Sequence, residues 1–127
     1  MSSTLDRYLF AIRILKDQYV CVRAVDVAHY LRISKPSVST SIRQMREQGL
    51  IEVEQDGNLL LSDEGRIRAE RLLSRVSFFR ELLTQAGMDR EQALRDAISF
   101  SWEMSDASYR AFQRIGEEWT GSIHQSN

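Results

Sequence analysis

The stretch Ser34-Lys35-Pro36-Ser37-Val38-Ser39-Thr40-Ser41-Ile42-Arg43-Gln44-Met45-Arg46 reads as a helix with two unlike faces. Ser34 is a good N-cap, and Pro36 falls in the first turn, where a missing N–H leaves no hydrogen bond unmade. Val38, Ile42 and Met45 recur at i, i+4 and i+7, so one stripe is apolar and turned toward a core. The other side offers Lys35, Ser37, Ser39, Thr40, Ser41, Arg43 and Gln44. Gly49 is placed to end the helix in the left-handed conformation.

Upstream, Val25 to Leu31 makes a short helix with Val27, Ala28 and Leu31 facing inward, and Arg32-Ile33-Ser34 forms a turn. Before it, Tyr19-Val20-Cys21-Val22 is a β-favouring run, an extended connector or small strand. Leu5, Tyr8, Leu9, Ile12 and Leu15 recur at helical spacing, which predicts a first amphipathic helix to Lys16. Downstream, Leu50–Ser62 contains two β-capable runs around Asp56-Gly57, a dipeptide favoured in tight hairpin turns. Helix, short helix, turn, polar-faced helix and hairpin, in that order, describe a winged helix-turn-helix.

Beyond the hairpin the chain reads as all helix. Ser62 or Asp63 caps a long helix to about Gln85, with Leu72, Val76, Phe79 and Leu83 on one stripe. Asp89 with Gln92 is a capping-box pattern opening a helix that carries Ala93, Leu94, Ala97 and Ile98. Ser105 or Asp106 caps a last helix with Tyr109, Phe112, Ile115 and Trp119, and the small polar tail Thr120–Asn127 is expected to fray. The expected class is therefore mainly α: an N-terminal winged helix-turn-helix over residues 1–63, then a helical domain over 64–127.

Composition narrows the function. The 127 residues are 43% hydrophobic and 28% charged, too apolar for a disordered chain. Apolar runs are too short to span a membrane, and Met1–Asp6 lacks the features of a signal peptide. A single cysteine, Cys21, excludes an internal disulfide and an all-thiolate metal cluster. These features lead us to expect a cytoplasmic protein. Net charge is −1, so nucleic acid would not be bound by bulk charge. Residues 32–46, however, hold Arg32, Lys35, Arg43 and Arg46 and no acid, a local patch suited to phosphate.

Residue chemistry on that patch suits double-stranded DNA. Short hydroxyls at Ser37, Ser39, Thr40 and Ser41 allow close approach and donation to phosphates or base edges, and the cap residue Ser34 is a further candidate contact. Arg43 can make a bidentate guanine or phosphate contact, and Gln44 can read adenine. Lys35 and Arg46 would position the helix on phosphates; Arg23, Pro36 and the wing residues Gln55 and Asn58 complete the candidate surface. No Gly-rich phosphate loop, nucleophile–histidine pair or paired-carboxylate site stands out, so an enzyme is not expected. A winged-helix protein-interaction module is the rival reading.

Several runs are similar to the metal-dependent repressors of the DtxR/MntR type: Arg23-Ala24-Val25-Asp26-Val27-Ala28, Ser34-Lys35-Pro36-Ser37-Val38-Ser39, Gly49-Leu50-Ile51-Glu52 and Leu61-Ser62-Asp63-Glu64-Gly65-Arg66. The likeness continues through Ala86-Gly87-Met88-Asp89 and Met104-Ser105-Asp106, covering roughly residues 5–112. The resemblance implies a homodimer on a palindromic operator, repressing transcription, in the short form without the C-terminal SH3-like domain. It assigns dimerisation to the helical half, where Leu72, Val76, Phe79, Leu83 and Ile98 are the candidates. The family's metal-ligand positions fall here on Arg7, Phe10, Val76, Ile98, Ser101 and Trp102, with ancillary positions on Arg80 and Leu94. Those side chains are apolar, cationic or weakly donating, whereas a divalent cation needs carboxylate, imidazole or thiolate. His29 and His124 fall outside the set. The expectation is a regulator with no metal and no cofactor, its junction filled by Phe10, Val76, Ile98 and Trp102 or opened as a pocket for a small organic effector.

Overall fold

A computed structural model describes residues 4–125 in eight elements: α1 (Thr4–Gln18), α2 (Ala24–Leu31), α3 (Lys35–Glu47), β1 (Ile51–Val53), β2 (Leu59–Leu61), α4 (Asp63–Gln85), α5 (Arg90–Glu103) and α6 (Asp106–Gln125). Its contacts divide the chain into two compact units that meet in sequence inside α4, at Leu72/Leu73. That is nine residues beyond Asp63, the end of the winged domain drawn from sequence. The first turns of α4 belong to the N-terminal unit because Ala69 is part of its core. Arg68 Nε there reaches Asp6 at 2.6 Å, and Glu70 accepts from Arg13 Nε at 2.6 Å.

The N-terminal unit is built around α1. Leu5, Tyr8, Leu9, Ile12 and Leu15 are buried with Val27 and Leu31 of α2, Val38 and Met45 of α3, and Leu50 and Leu59 of the hairpin. Ser34 caps α3 as expected: its hydroxyl oxygen accepts from the Ser37 amide at 3.4 Å. The α2–α3 turn closes on Arg32, a non-glycine residue in the left-handed region (φ 57), whose amide donates to the Ala28 and His29 carbonyls. Strands β1 and β2 pair antiparallel, with Ile51 opposite Leu61 and Val53 opposite Leu59. The turn between them is longer than an Asp-Gly pair alone. Glu54 N donates to Asn58 O and Gly57 N to Glu54 O, leaving Gln55-Asp56-Gly57 as a three-residue loop whose last member is left-handed (φ 90). The Tyr19–Val22 connector joins the hairpin through a backbone bond, Leu59 N to Val22 O at 2.8 Å.

The helical unit packs the second part of α4 with α5 and α6. Asp89 caps α5 by accepting from the Gln92 amide at 3.2 Å, and Ala93 and Ala97 are its buried small residues. Phe79 is the hub of an aromatic cluster, edge-on to Phe78, Phe100 and Phe112 at centroid distances of 5.0, 6.0 and 5.4 Å. Arg75 is 7% exposed; it donates to the Met104 carbonyl at 2.7 Å and to the Asp106 carboxylate, and its guanidinium lies 4.9 Å from the Tyr109 ring centre. This clamp fixes the α5–α6 turn to α4. α6 runs to Gln125, past the Thr120 at which the sequence led us to expect fraying, while the side chains of Trp119 and His124 lie outside the described residues.

The stripe Leu72, Val76 and Phe79, expected from the resemblance to form a dimer face, is buried within the single chain at 2–5% exposure. Leu83 and Ile98 are half-buried. A 3.6-residue period shows that a stripe is covered, without showing whether its own chain or a second one covers it. Among the described residues, the large apolar side chains left open in this unit are Phe100, Phe112 and Ile115.

Candidate nucleic-acid interface

Helix α3 places its side chains as its two-faced sequence dictates. Val38 and Met45 are buried, and Ile42 is half-buried between them. Ser41 is also buried, three residues after Val38 and four before Met45, so it belongs to the inner stripe and not to the polar face. Lys35, Pro36, Ser37, Ser39, Thr40, Arg43, Gln44 and Arg46 are all exposed. Among the described residues, Lys35, Arg43 and Arg46 have no hydrogen-bond or ion-pair partner. Three cationic groups without a protein counter-charge on one helix are a surface suited to a polyanion.

The hydroxyls divide into two kinds. Ser34 Oγ donates to Ser37 Oγ at 2.9 Å, and Thr40 Oγ1 donates to the Pro36 carbonyl at 3.1 Å, so both protons serve the helix start. Ser37 accepts that bond and keeps its own proton, and Ser39 makes no side-chain bond, so these two remain as donors.

Two residues expected at the DNA surface are held by the protein instead. Asn58 is 8% exposed. Its Oδ1 accepts from Lys16 Nζ at 2.7 Å and from the Val22 amide at 2.9 Å, and its Nδ2 donates to Glu54 Oε1 at 2.6 Å. Every polar atom of that side chain is committed to latching the wing, so Asn58 does not read a groove. Arg23 is half-exposed, with Nε donating to the Asp56 carbonyl at 2.7 Å. Sequence reasoning had no signal for these roles except the Asx-type turn at Asp56, which accepts from the Asn58 amide at 2.9 Å.

The residues to which the resemblance assigns metal coordination do not supply donors for a divalent cation. Phe10, Val76 and Ser101 are buried, and the Ser101 hydroxyl has no hydrogen-bond partner. Arg7, Ile98 and Trp102 are half-buried. The described residues contain no group of three or more His, Cys, Asp or Glu able to hold a metal ion. Arg80 and Leu94 add a cation and an alkyl group, neither of them a donor to a metal. His29 is exposed on α2, and Cys21 is half-buried. No helix among the described residues is long and apolar enough to cross a membrane.

The sequence profile described as "Iron dependent repressor, N-terminal DNA binding domain" matches residues 1–59. The diphtheria toxin repressor of Corynebacterium efficiens is 28% identical over 120 residues, covering 94% of this chain and 52% of the relative. The transcriptional regulator MntR of Escherichia coli is 28% identical over 109 residues, covering 86% and 70%. Among solved structures, a manganese-dependent transcriptional repressor in complex with manganese superposes with a TM-score of 0.76 at 25% identity, covering 91% of this chain and 52% of that one. The IdeR structure from T. acidophilum has the same fold, with a TM-score of 0.73 at 23% identity over 91% and 55%. The chain spans about half the length of the diphtheria toxin repressors it matches. The relatives of known role among these are named as repressors or transcriptional regulators.

Proposed function

We propose, from a chain similar to the DtxR/MntR-type repressors over most of its length, that this protein binds double-stranded DNA sequence-specifically and represses transcription. It acts in the cytoplasm as a homodimer on a palindromic operator, without a metal corepressor. The observation that carries the reading is the outer face of α3, where Lys35, Ser37, Ser39, Arg43, Gln44 and Arg46 are exposed on a helix whose opposite face is packed. Lys35 and Arg46 take phosphates, Ser37 and Ser39 donate to phosphate or base edges, and Arg43 and Gln44 read bases in the major groove.

Dimerisation uses the open apolar surface of the helical unit. Phe79, Leu82, Phe100, Met104 and Phe112 line a groove of about 670 Å³, and Leu82, Phe112 and Ile115 line a second hollow. Phe100, Phe112 and Ile115 stand exposed around them. A two-fold interface needs one surface to supply both projection and hollow, and this one does. Metal independence rests on the donor set: a guanidinium, four hydrocarbon or aromatic side chains and a lone hydroxyl cannot neutralise a divalent cation.

Selection of duplexes from a random pool, run with manganese and with a chelator, tests the reading. The expected result is enrichment of one palindrome equally in both. Enrichment only with manganese overturns metal independence. Enrichment of nothing in either condition overturns DNA binding and makes α3 a protein-docking helix.

A further inference from the structure

The wing is acidic. Between Gly49 and Ser62 the chain carries Glu52, Glu54 and Asp56 and no lysine or arginine. A hairpin of this sign is repelled by the phosphates that the neighbouring helix α3 is built to approach. Two of the three carboxylates are nonetheless engaged from below: Glu54 accepts from Asn58 Nδ2, and Asp56 meets Arg23. The Arg23 side chain wraps the wing tip. Its Nε bonds the Asp56 carbonyl at 2.7 Å, its second guanidinium nitrogen lies 3.9 Å from the Asp56 carboxylate, and its Cγ and Cδ back Gly57, 3.7 and 3.5 Å from where a Cβ would stand. The backbone of Arg23 is fixed in turn, its amide donating to Asp26 Oδ2 at 2.8 Å.

We propose that Arg23 is a positioning residue that acts through Asp56: it holds the wing tip down and cancels the charge that the tip would otherwise present to the DNA backbone, and it does not itself contact phosphate. The inference rests on the DNA-binding reading above. Both groups are half-exposed, with side chains 50% and 60% accessible, so the pair contributes little to stability and its effect falls on what approaches the tip.

The test is a rescue, read by fluorescence anisotropy with the full chain and the selected operator. Arg23→Met is expected to weaken binding about tenfold, by leaving a carboxylate uncompensated at the wing tip. Adding Asp56→Asn keeps the side-chain oxygen that accepts from the Asn58 amide and is expected to return affinity to within about threefold of the parent protein. Asp56→Asn alone is expected to bind at least as tightly as the parent. Melting temperatures of all three should stay within a few degrees of the parent, which separates the effect from unfolding. If the double variant is as weak as Arg23→Met, with the salt dependence flattened by about one phosphate contact, Arg23 touches DNA directly and the proposal fails. An unaffected Arg23→Met also overturns it. Failure of the parent chain to bind any duplex would sink the underlying reading instead.

Discussion

Lys16 Nζ donates to Asn58 Oδ1 at 2.7 Å, joining the last turn of α1 to the base of the wing. The same oxygen takes the Val22 amide, so one buried amide side chain ties together α1, the α1–α2 connector and the hairpin. Asn58→Ala leaves the buried Val22 N–H without its acceptor and should cost about 1–3 kcal/mol in urea unfolding. Loss of hydrogen-exchange protection at Val22 and Leu59 before the rest of the unit would locate the damage; an unchanged urea midpoint would refute it.

Gly65 in the first turn of α4 lies where a Cβ would collide with the backbone carbonyl of Leu50. A carbonyl held in the core has no rotamer by which to withdraw. Gly65→Ala should therefore destabilise by about 3 kcal/mol, more than its helix propensity would return, as read by denaturant midpoint. A neutral or stabilising effect would show that α4 can shift its start.

On α3 the two proposed classes of DNA contact should separate by their salt behaviour. Arg43→Ala should cost about 1–3 kcal/mol on the operator and relax preference at one base pair. Lys35→Ala should weaken operator and unrelated duplex alike and flatten the salt slope by about one. Equal loss on all sequences for Arg43→Ala would reassign it to a phosphate.

Ile115 is 60% exposed, so Ile115→Glu leaves the fold intact while placing a charge in the proposed seam. Sedimentation should show a monomer, and operator affinity should fall about a hundredfold through loss of the second half-site. A dimer that persists would move the seam elsewhere.

Burial raises the tyrosine hydroxyls of Tyr30 and Tyr109 above their ordinary value near 10, with Arg75 pulling Tyr109 back in part. The folded state thus favours the neutral phenol. Its contribution is complete below pH 10 and is lost as pH climbs through the raised values. Urea unfolding between pH 9 and 11 should show stability falling from about pH 10, and less so in Tyr30→Phe. A flat profile would remove the effect.

What could be read from the sequence was what is local. Ser34 and Pro36 announce the start of α3 because a cap is satisfied within three residues, and Gly57 marks the wing turn by its own backbone preference. Asn58 looked like a groove contact because the donors that occupy it, Lys16 and Val22, lie 42 and 36 residues away. Arg75 gave no sign of burial, since the carbonyl it satisfies, at Met104, is 29 residues downstream. The stripe through Val76 and Phe79 was visible as a stripe, but periodicity is silent on which molecule covers it.

The acidity of the wing has a consequence for the search along a chromosome. A chain of net charge −1 with one basic helix and a negatively charged flap beside it has little hold on arbitrary sequence, where only backbone charge is on offer. Competing sites number in the millions, and occupancy of the right one depends on the ratio of the two affinities. On the DNA-binding reading proposed above, the acidic wing lowers affinity for every duplex alike, so discrimination falls to the base contacts of α3 and little protein is held on the wrong sites.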